Sequence, residues 1–140
     1  MGMPLYGRSW TLEGEDKGYE SKALGPGNPG KFTQSAGTLG YNEVCMMLKQ
    51  GGWTVKRDDS FKVPYMVKGN QWISYDDVQS INDKVEFLKN KGLAGAMVWT
   101  IDLDDFRSDC DQGTYPLLKQ ISNGLNNQSD KTKSTDSFKK

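Results

Sequence analysis

The sequence predicts an α/β chain that supplies two strands and a closing helix to a larger parallel barrel, with an α+β segment set between those strands. Three observations carry that prediction. Residues 2–7 and 92–101 are apolar stretches without polar alternation, and strands covered on both faces of a parallel sheet read this way. Between them, helical and hairpin patterns alternate. An amphipathic helix follows the second stretch, in the strand-then-helix order of a βα unit. Eight strands close a barrel of this class, so most of its strands would come from other chain.

Taken in order, residues 2–7 (Gly-Met-Pro-Leu-Tyr-Gly) form a short buried strand that ends in a polar turn at Arg8 and Ser9. Residues 13–31 are rich in Gly, Pro, Glu and Lys and read as a loop. Val44, Met47 and Leu48 recur at helical spacing, so residues 41–49 form a helix that Gly51 and Gly52 stop. Residues 53–57 are a strand. Residues 63–68 and 71–75 pair as a hairpin about Gly69 and Asn70. Asp76 caps the next helix, with Gln79 three residues on completing the capping box. Val78, Ile81, Val85 and Leu88 line one face of that helix, and Gly92 is its C-cap. The strand at 92–101 leads to Asp102-Leu103-Asp104-Asp105. A final helix over 115–125 carries Leu117, Leu118, Ile121 and Leu125 on one stripe. Residues 126–140 are almost wholly polar and cannot bury enough apolar area to fold, which predicts a disordered linker.

Composition narrows the function. Lys plus Arg and Asp plus Glu both number 18. The resulting net charge of zero gives no long-range pull toward nucleic acid or an anionic membrane, and no stretch is long and apolar enough to span one. There is no histidine, which removes Ser-His-Asp and Cys-His nucleophile arrangements and His-ligated metal sites. No cofactor is implied. The two cysteines, Cys45 and Cys110, either pair with each other, the simplest outcome in a secreted protein, or remain buried thiols. Asn127-Gln128-Ser129 is a glycosylation sequon, consistent with a secreted setting. Met1-Gly2-Met3-Pro4 lacks the basic start and apolar core of a signal peptide and runs straight into a strand pattern, as a piece of a longer protein would. Aromatic residues make up 11%, and many sit beside Gly, Asn, Arg or Asp. They serve as core, or as a stacking surface for flat, weakly polar ligands such as sugars, since Trp and Tyr join a large apolar face to a polar handle.

Several of these segments resemble family 18 glycoside hydrolases. Residues 3–12 (Met-Pro-Leu-Tyr-Gly-Arg-Ser-Trp-Thr-Leu) are similar to the family's seventh barrel strand and its exit. Residues 40–45 (Gly-Tyr-Asn-Glu-Val-Cys) resemble the helix of its insertion domain. Residues 62–65 and 69–77 (Gly-Asn-Gln-Trp-Ile-Ser-Tyr-Asp-Asp) resemble that domain's hairpin, and residues 91–106 resemble the eighth strand. The resemblance implies a partial TIM (β/α)8 barrel, comprising its last two strands and final helix, with an α+β chitinase insertion domain. The implied divisions are a seventh-strand segment at 1–10, the insertion at 11–92, the eighth strand and final helix at 93–125, and the polar linker at 126–140. It also implies a substrate of chitin or chitin oligosaccharides, a secreted protein, and a monomer. Hydrolysis in the family is substrate-assisted, outside the usual two-carboxylate scheme. Its acid ends an Asp-Gly-x-Asp-x-Asp-x-Glu motif that this chain lacks, so no catalytic residue is assigned and the chain alone is expected to be inactive.

By the same resemblance the substrate-binding residues are Trp99, Tyr6, Arg8 and Met97. Trp99 would lie beneath a sugar ring at the C-terminal end of a barrel strand, where such folds place function. Met97, two residues earlier on the same side of the strand, would shape the pocket wall. Tyr6 would stack or donate its hydroxyl, and Arg8 would donate to sugar or acetamido oxygens. Trp72 and Tyr75 read as core. Thr38, beside Leu39, stands where vertebrate-type members often carry Met on the groove side. Asp102, Asp104 and Asp105 do not have calcium-loop spacing and read as loop caps or partners of Arg107 and lysines, so no metal is assigned. The parent is then an active chitinase or, alternatively, a non-catalytic chitinase-like lectin, the two distinguished by the residue that ends the absent motif. A stand-alone carbohydrate-binding fragment is a third reading.

Overall fold

A computed structural model describes residues 1–126. Asn127 and nearly all of the polar tail lie outside them. The chain runs β1 (Gly2–Pro4), β2 (Tyr6–Leu12), β3 (Ala23–Pro26), β4 (Thr38–Gly40), α1 (Tyr41–Gln50), β5 (Thr54–Asp58), β6 (Val63–Lys68), β7 (Gln71–Ser74), α2 (Val78–Asn90), β8 (Met97–Trp99) and α3 (Pro116–Asn126). β1 and β8 form a parallel pair, in register from Gly2–Met97 to Pro4–Trp99. The other six strands make an antiparallel sheet in the order β3-β2-β7-β6-β5, with β4 also on β2. Among the described residues no helix is long and apolar enough to cross a membrane.

The single strand expected over residues 2–7 is two strands in different sheets. Leu5 is the joint. Its N–H donates to the Trp99 carbonyl at 3.0 Å and its carbonyl accepts from the Tyr41 N–H at 3.1 Å. The chain then leaves β8 and enters the antiparallel sheet, so the boundary expected after residue 10 falls inside β2. The loop expected over 13–31 contains β3, which pairs with Trp10, Thr11 and Leu12. β3 is largely exposed, so no buried alternation marks it in the sequence. The stretch at 92–101 is a strand only over its last part, and there Met97 and Trp99 are exposed. Among the described residues β8 pairs with β1 alone.

One apolar core joins both sheets to the helices. Met66, Ile73 and Leu39 meet Val44 of α1, Ile81, Val85 and Leu88 of α2, and Leu117 and Ile121 of α3, while Met3, Leu5 and the half-buried Val98 extend it under the parallel pair. A smaller cluster of Leu12, Tyr65, Val67 and Trp72 covers part of the opposite sheet face.

Polar groups fix the helix ends. Asp77, not Asp76, caps α2: its carboxylate accepts from the Ser80 N–H at 2.8 Å, and the Ser80 hydroxyl accepts from the Asp77 N–H at 2.9 Å. Asp76 is buried and instead holds Lys84 Nζ at 2.6 Å and the Ser80 hydroxyl at 2.7 Å. Gly92 follows the Lys91 cap with φ +60. The Gly92 and Leu93 N–H groups donate back to Lys89 and Leu88, the double closure that an αL glycine permits. The acidic run also proves structural. Asp104 is fully buried and accepts from the Leu118 N–H at 2.9 Å and the Asp105 N–H at 2.9 Å, while Asp105 accepts from the Asp109 and Cys110 N–H groups. Burial raises the Asp104 carboxyl above the ordinary carboxylate range, against the opposing pull of those backbone donors.

Glu43 ties the irregular segment before α1 to the helix. It is buried, and its carboxylate accepts from the N–H groups of Phe32 (2.6 Å), Thr33 (3.1 Å) and Gly40 (2.9 Å) and from the Thr33 hydroxyl (2.9 Å). Gly30 lies so close that a Cβ there would run into the Glu43 carboxylate. Cys45 and Cys110 form a disulfide that links α1 to the segment before α3, across 65 positions of sequence.

Three outcomes follow. Glu43→Ala strands three backbone donors and should destabilise the fold by about 3 kcal/mol or more, read by urea unfolding. Reduction should raise the intact mass by two hydrogens and lower stability by roughly 4 kcal/mol, and an unchanged mass would remove the bridge. Because Asp104 holds its proton more tightly when folded, its contribution is fully present below the unfolded carboxyl pKa and is lost as pH rises through the folded one. The wild-type chain should therefore lose stability relative to Asp104→Asn as pH rises through that window. Parallel curves would contradict the assignment.

Candidate functional site

The most exposed aromatic side chain on a strand is Trp99, 67% accessible at the C-terminal end of β8. Side chains alternate across a strand, so Met97, itself 57% accessible, shares its side while Val98 turns inward to the core. β1 positions both, through Met97 N–H donating to the Met1 carbonyl at 2.9 Å and Leu5 N–H donating to Trp99. The Trp99–Thr100 peptide bond is cis. Beyond it Thr100 donates to Asp102 at 2.6 Å, which shapes the loop leaving the strand.

Tyr6 and Arg8 stand on the same face of β2. The Arg8 guanidinium lies over the Tyr6 ring, 5.2 Å from its centroid, and donates to the Thr38 hydroxyl at 2.6 Å across the β2–β4 pair. Arg8 is exposed, and among the described residues its side chain bonds Thr38 and no carboxylate, which leaves N–H groups able to meet neutral oxygens. Trp99 pairs with Pro4, and Tyr6, Arg8 and then Trp10 follow at two-residue steps along one chain. Met97 and Trp99 thus sit on β8, and Tyr6 and Arg8 on β2, on either side of the Leu5 joint between the two sheets.

Trp10 is the residue that the sequence reading missed. It is 45% accessible and continues the Tyr6–Arg8 side of β2. The period-2 series Tyr6, Arg8, Trp10 was the available signal, hidden by reading Arg8 and Ser9 as a turn. Trp72 and Tyr75 are buried, but on opposite faces of the sheet: Trp72 joins the small cluster and Tyr75 joins the main core with Ile73. Burial pushes the Tyr75 phenol up to about 12.

The arrangement is a shelf of exposed aromatic and thioether surface on β8, with a guanidinium stacked on Tyr6 on β2, a surface suited to a flat neutral ligand.

The family model of the glycosyl hydrolases family 18 matches residues 1–104. Mouse chitotriosidase-1 is 48% identical over 129 residues, 90% of this chain and 26% of its own length. Human YKL-39, described as a pseudo-chitinase with retained chitooligosaccharide binding, superposes with a TM-score of 0.87 at 48% identity, covering 90% of this chain and 34% of that one. The Ostrinia furnacalis group IV chitinase, solved with allosamidin, gives a TM-score of 0.87 at 40% identity, covering 91% and 34%. The chain spans about a third or less of the length of these proteins.

An exposed shelf and a core tryptophan respond differently to truncation. Trp99→Ala and Arg8→Ala should each change unfolding free energy by less than about 1 kcal/mol. A loss of about 3 kcal/mol or more, the cost of emptying a core Trp site, would contradict the exposed placement of Trp99.

Proposed function

Since the chain belongs to glycosyl hydrolase family 18, we propose that residues 1–126 form one wall of a groove for β-1,4-linked N-acetylglucosamine chains. In this reading β1 and β8 are the seventh and eighth strands of the barrel, and the antiparallel sheet with α1 and α2 is the insertion between them. Trp99 packs its indole against the apolar face of one sugar ring, Met97 closes the side of that subsite, and Tyr6 and Arg8 meet the hydroxyl and acetamido oxygens. The observation that supports this best is the outward-facing Trp99–Met97 pair, held by β1, whose chain continues into the strand that carries the Tyr6–Arg8 stack. A large aromatic face kept in water on a strand end is suited to a sugar's C–H face.

The whole protein would hydrolyse chitin by letting the substrate's own acetamido oxygen attack the anomeric carbon while a carboxylic acid from outside this chain protonates the leaving oxygen. The alternative is a chitinase-like lectin, favoured by the likeness to YKL-39. The wall described here serves both. The disulfide supports a secreted setting.

A chimera in which residues 1–126 replace the matching segment of mouse chitotriosidase tests the reading. It should hydrolyse chitin oligosaccharides, and Trp99→Ala should lower kcat/KM by at least about tenfold, equivalent to ~1.4 kcal/mol. A folded chimera indifferent to that substitution would overturn the role of Trp99. The 140-residue chain alone, lacking the rest of the groove, should bind such oligosaccharides more weakly than micromolar. Micromolar affinity by calorimetry would favour a stand-alone binding module.

A further inference from the structure

The arginines of the chain, Arg8, Arg57 and Arg107, are held in different ways. Arg57 is held by charge: it pairs with Asp77, the cap of α2, and donates to the Lys62 carbonyl at 3.1 Å. Arg107 lies over the rings of Phe32 and Phe106, 5.6 and 5.1 Å from their centroids. Arg8 is held by one ring and one hydroxyl. Its guanidinium lies 5.2 Å from the Tyr6 centroid, and its Nη1 donates to Thr38 Oγ1 at 2.6 Å. Among the described residues no carboxylate pairs with it.

Both tethers of Arg8 are therefore neutral. A carboxylate partner would compensate the charge and engage two N–H donors in a forked pair. A hydroxyl engages one donor and a ring face engages none, so the side chain keeps its charge and its other donors. A free exposed arginine carries large rotamer entropy that a ligand must freeze. Two tethers freeze much of it before the ligand arrives.

Thr38 is fixed well enough to act as the anchor. It is the register partner of Arg8 across β2 and β4. β4 is held at both ends: the Thr38 N–H donates to the Ser35 carbonyl at 3.3 Å, and the Gly40 N–H donates to the buried Glu43 carboxylate at 2.9 Å. Between them Leu39 is sealed in the main core. Thr38 itself is half-buried, and its branched Cβ restricts its rotamers. We propose that Thr38 is a positioning residue of the groove: its hydroxyl, with the Tyr6 ring, fixes Arg8 in a donating pose without neutralising it. This rests on the reading of Arg8 as a groove residue. It adds that the strength of the Arg8 contact with a neutral saccharide oxygen is set from β4, by a side chain that need not touch the sugar.

In the 140-residue chain, ¹⁵N relaxation of the arginine side chains reads the order of Arg8 Nε with no ligand present. Thr38→Val keeps the branched shape and removes the hydroxyl. It should lower the Arg8 order parameter into the flexible range, below about 0.6, while Arg57 stays unchanged and Thr38→Ser restores the wild-type value. An Arg8 as ordered in Thr38→Val as in the wild type would overturn the proposal. In the chitotriosidase chimera, Thr38→Val should raise KM for chitin oligosaccharides at least about threefold, in the range of one hydrogen bond. It should leave kcat within about twofold, as loss of binding common to ground and transition states does. Thr38→Ser should return KM to its starting value. In an Arg8→Ala background Thr38→Val should add nothing, because its effect passes through Arg8. An undiminished effect in that background, or a rise in KM from Arg8→Ala with none from Thr38→Val, would overturn the inference and leave the groove reading intact. A KM indifferent to Arg8→Ala would overturn the inference together with the place of Arg8 in the groove.

Discussion

Leu5 holds the molecule together at one point. It is completely buried, its N–H is bonded to the carbonyl of Trp99, and its carbonyl is bonded to the first N–H of α1. Both backbone groups are therefore spent on joining elements far apart in sequence, since a buried peptide group must find a partner. Everything at the exposed shelf depends on that joint. It sets where β8 ends, where β2 departs, and how Trp99 stands relative to Tyr6 and Arg8.

The core beneath explains why such a joint can be stiff. Side chains from both sheets and all three helices share one cluster, so neither the parallel pair nor the antiparallel sheet can shift without opening packed contacts. Truncating a buried leucine in such a core costs about 2–5 kcal/mol. Glu43 and the Cys45–Cys110 bridge brace the same region from the outer side: the carboxylate organises the segment entering α1, and the disulfide ties α1 to the approach of α3. The result is an asymmetry. One side of β8 is anchored, and the other presents Met97 and Trp99 to solvent.

Much of this was legible in the residues. The helices appeared where apolar spacing and glycine stops put them, and the hairpin about Gly69 and Asn70 formed as its turn chemistry required. The cysteine pairing also followed. What failed did so for local physical reasons. The break at Leu5 is made by backbone bonds to distant elements, and an apolar run does not record a change of sheet. β3 and β4 are short, and β3 buries little, so neither leaves a period-2 trace. Two adjacent aspartates made the cap of α2 ambiguous, and only geometry separated Asp77, the cap, from Asp76, the partner of Lys84. The apolar run at 92–101 reads as doubly covered, yet Met97 and Trp99 are exposed where, among the described residues, β1 is the one strand beside it.

Trp99, Met97, Tyr6 and Arg8 were picked out from their motifs, and the structure places Trp99 and Met97 exposed on β8 and Arg8 exposed on β2, while the exposed Trp10 was passed over with the misread turn. Its exposure extends the aromatic surface along β2 toward Trp72. The most direct measurement of the central claim is a crystal structure of the chitotriosidase chimera with a bound chitin tetrasaccharide. The account predicts one sugar ring lying flat on the Trp99 indole, with Arg8 donating to a sugar oxygen. Sugar density that leaves the indole bare would contradict it.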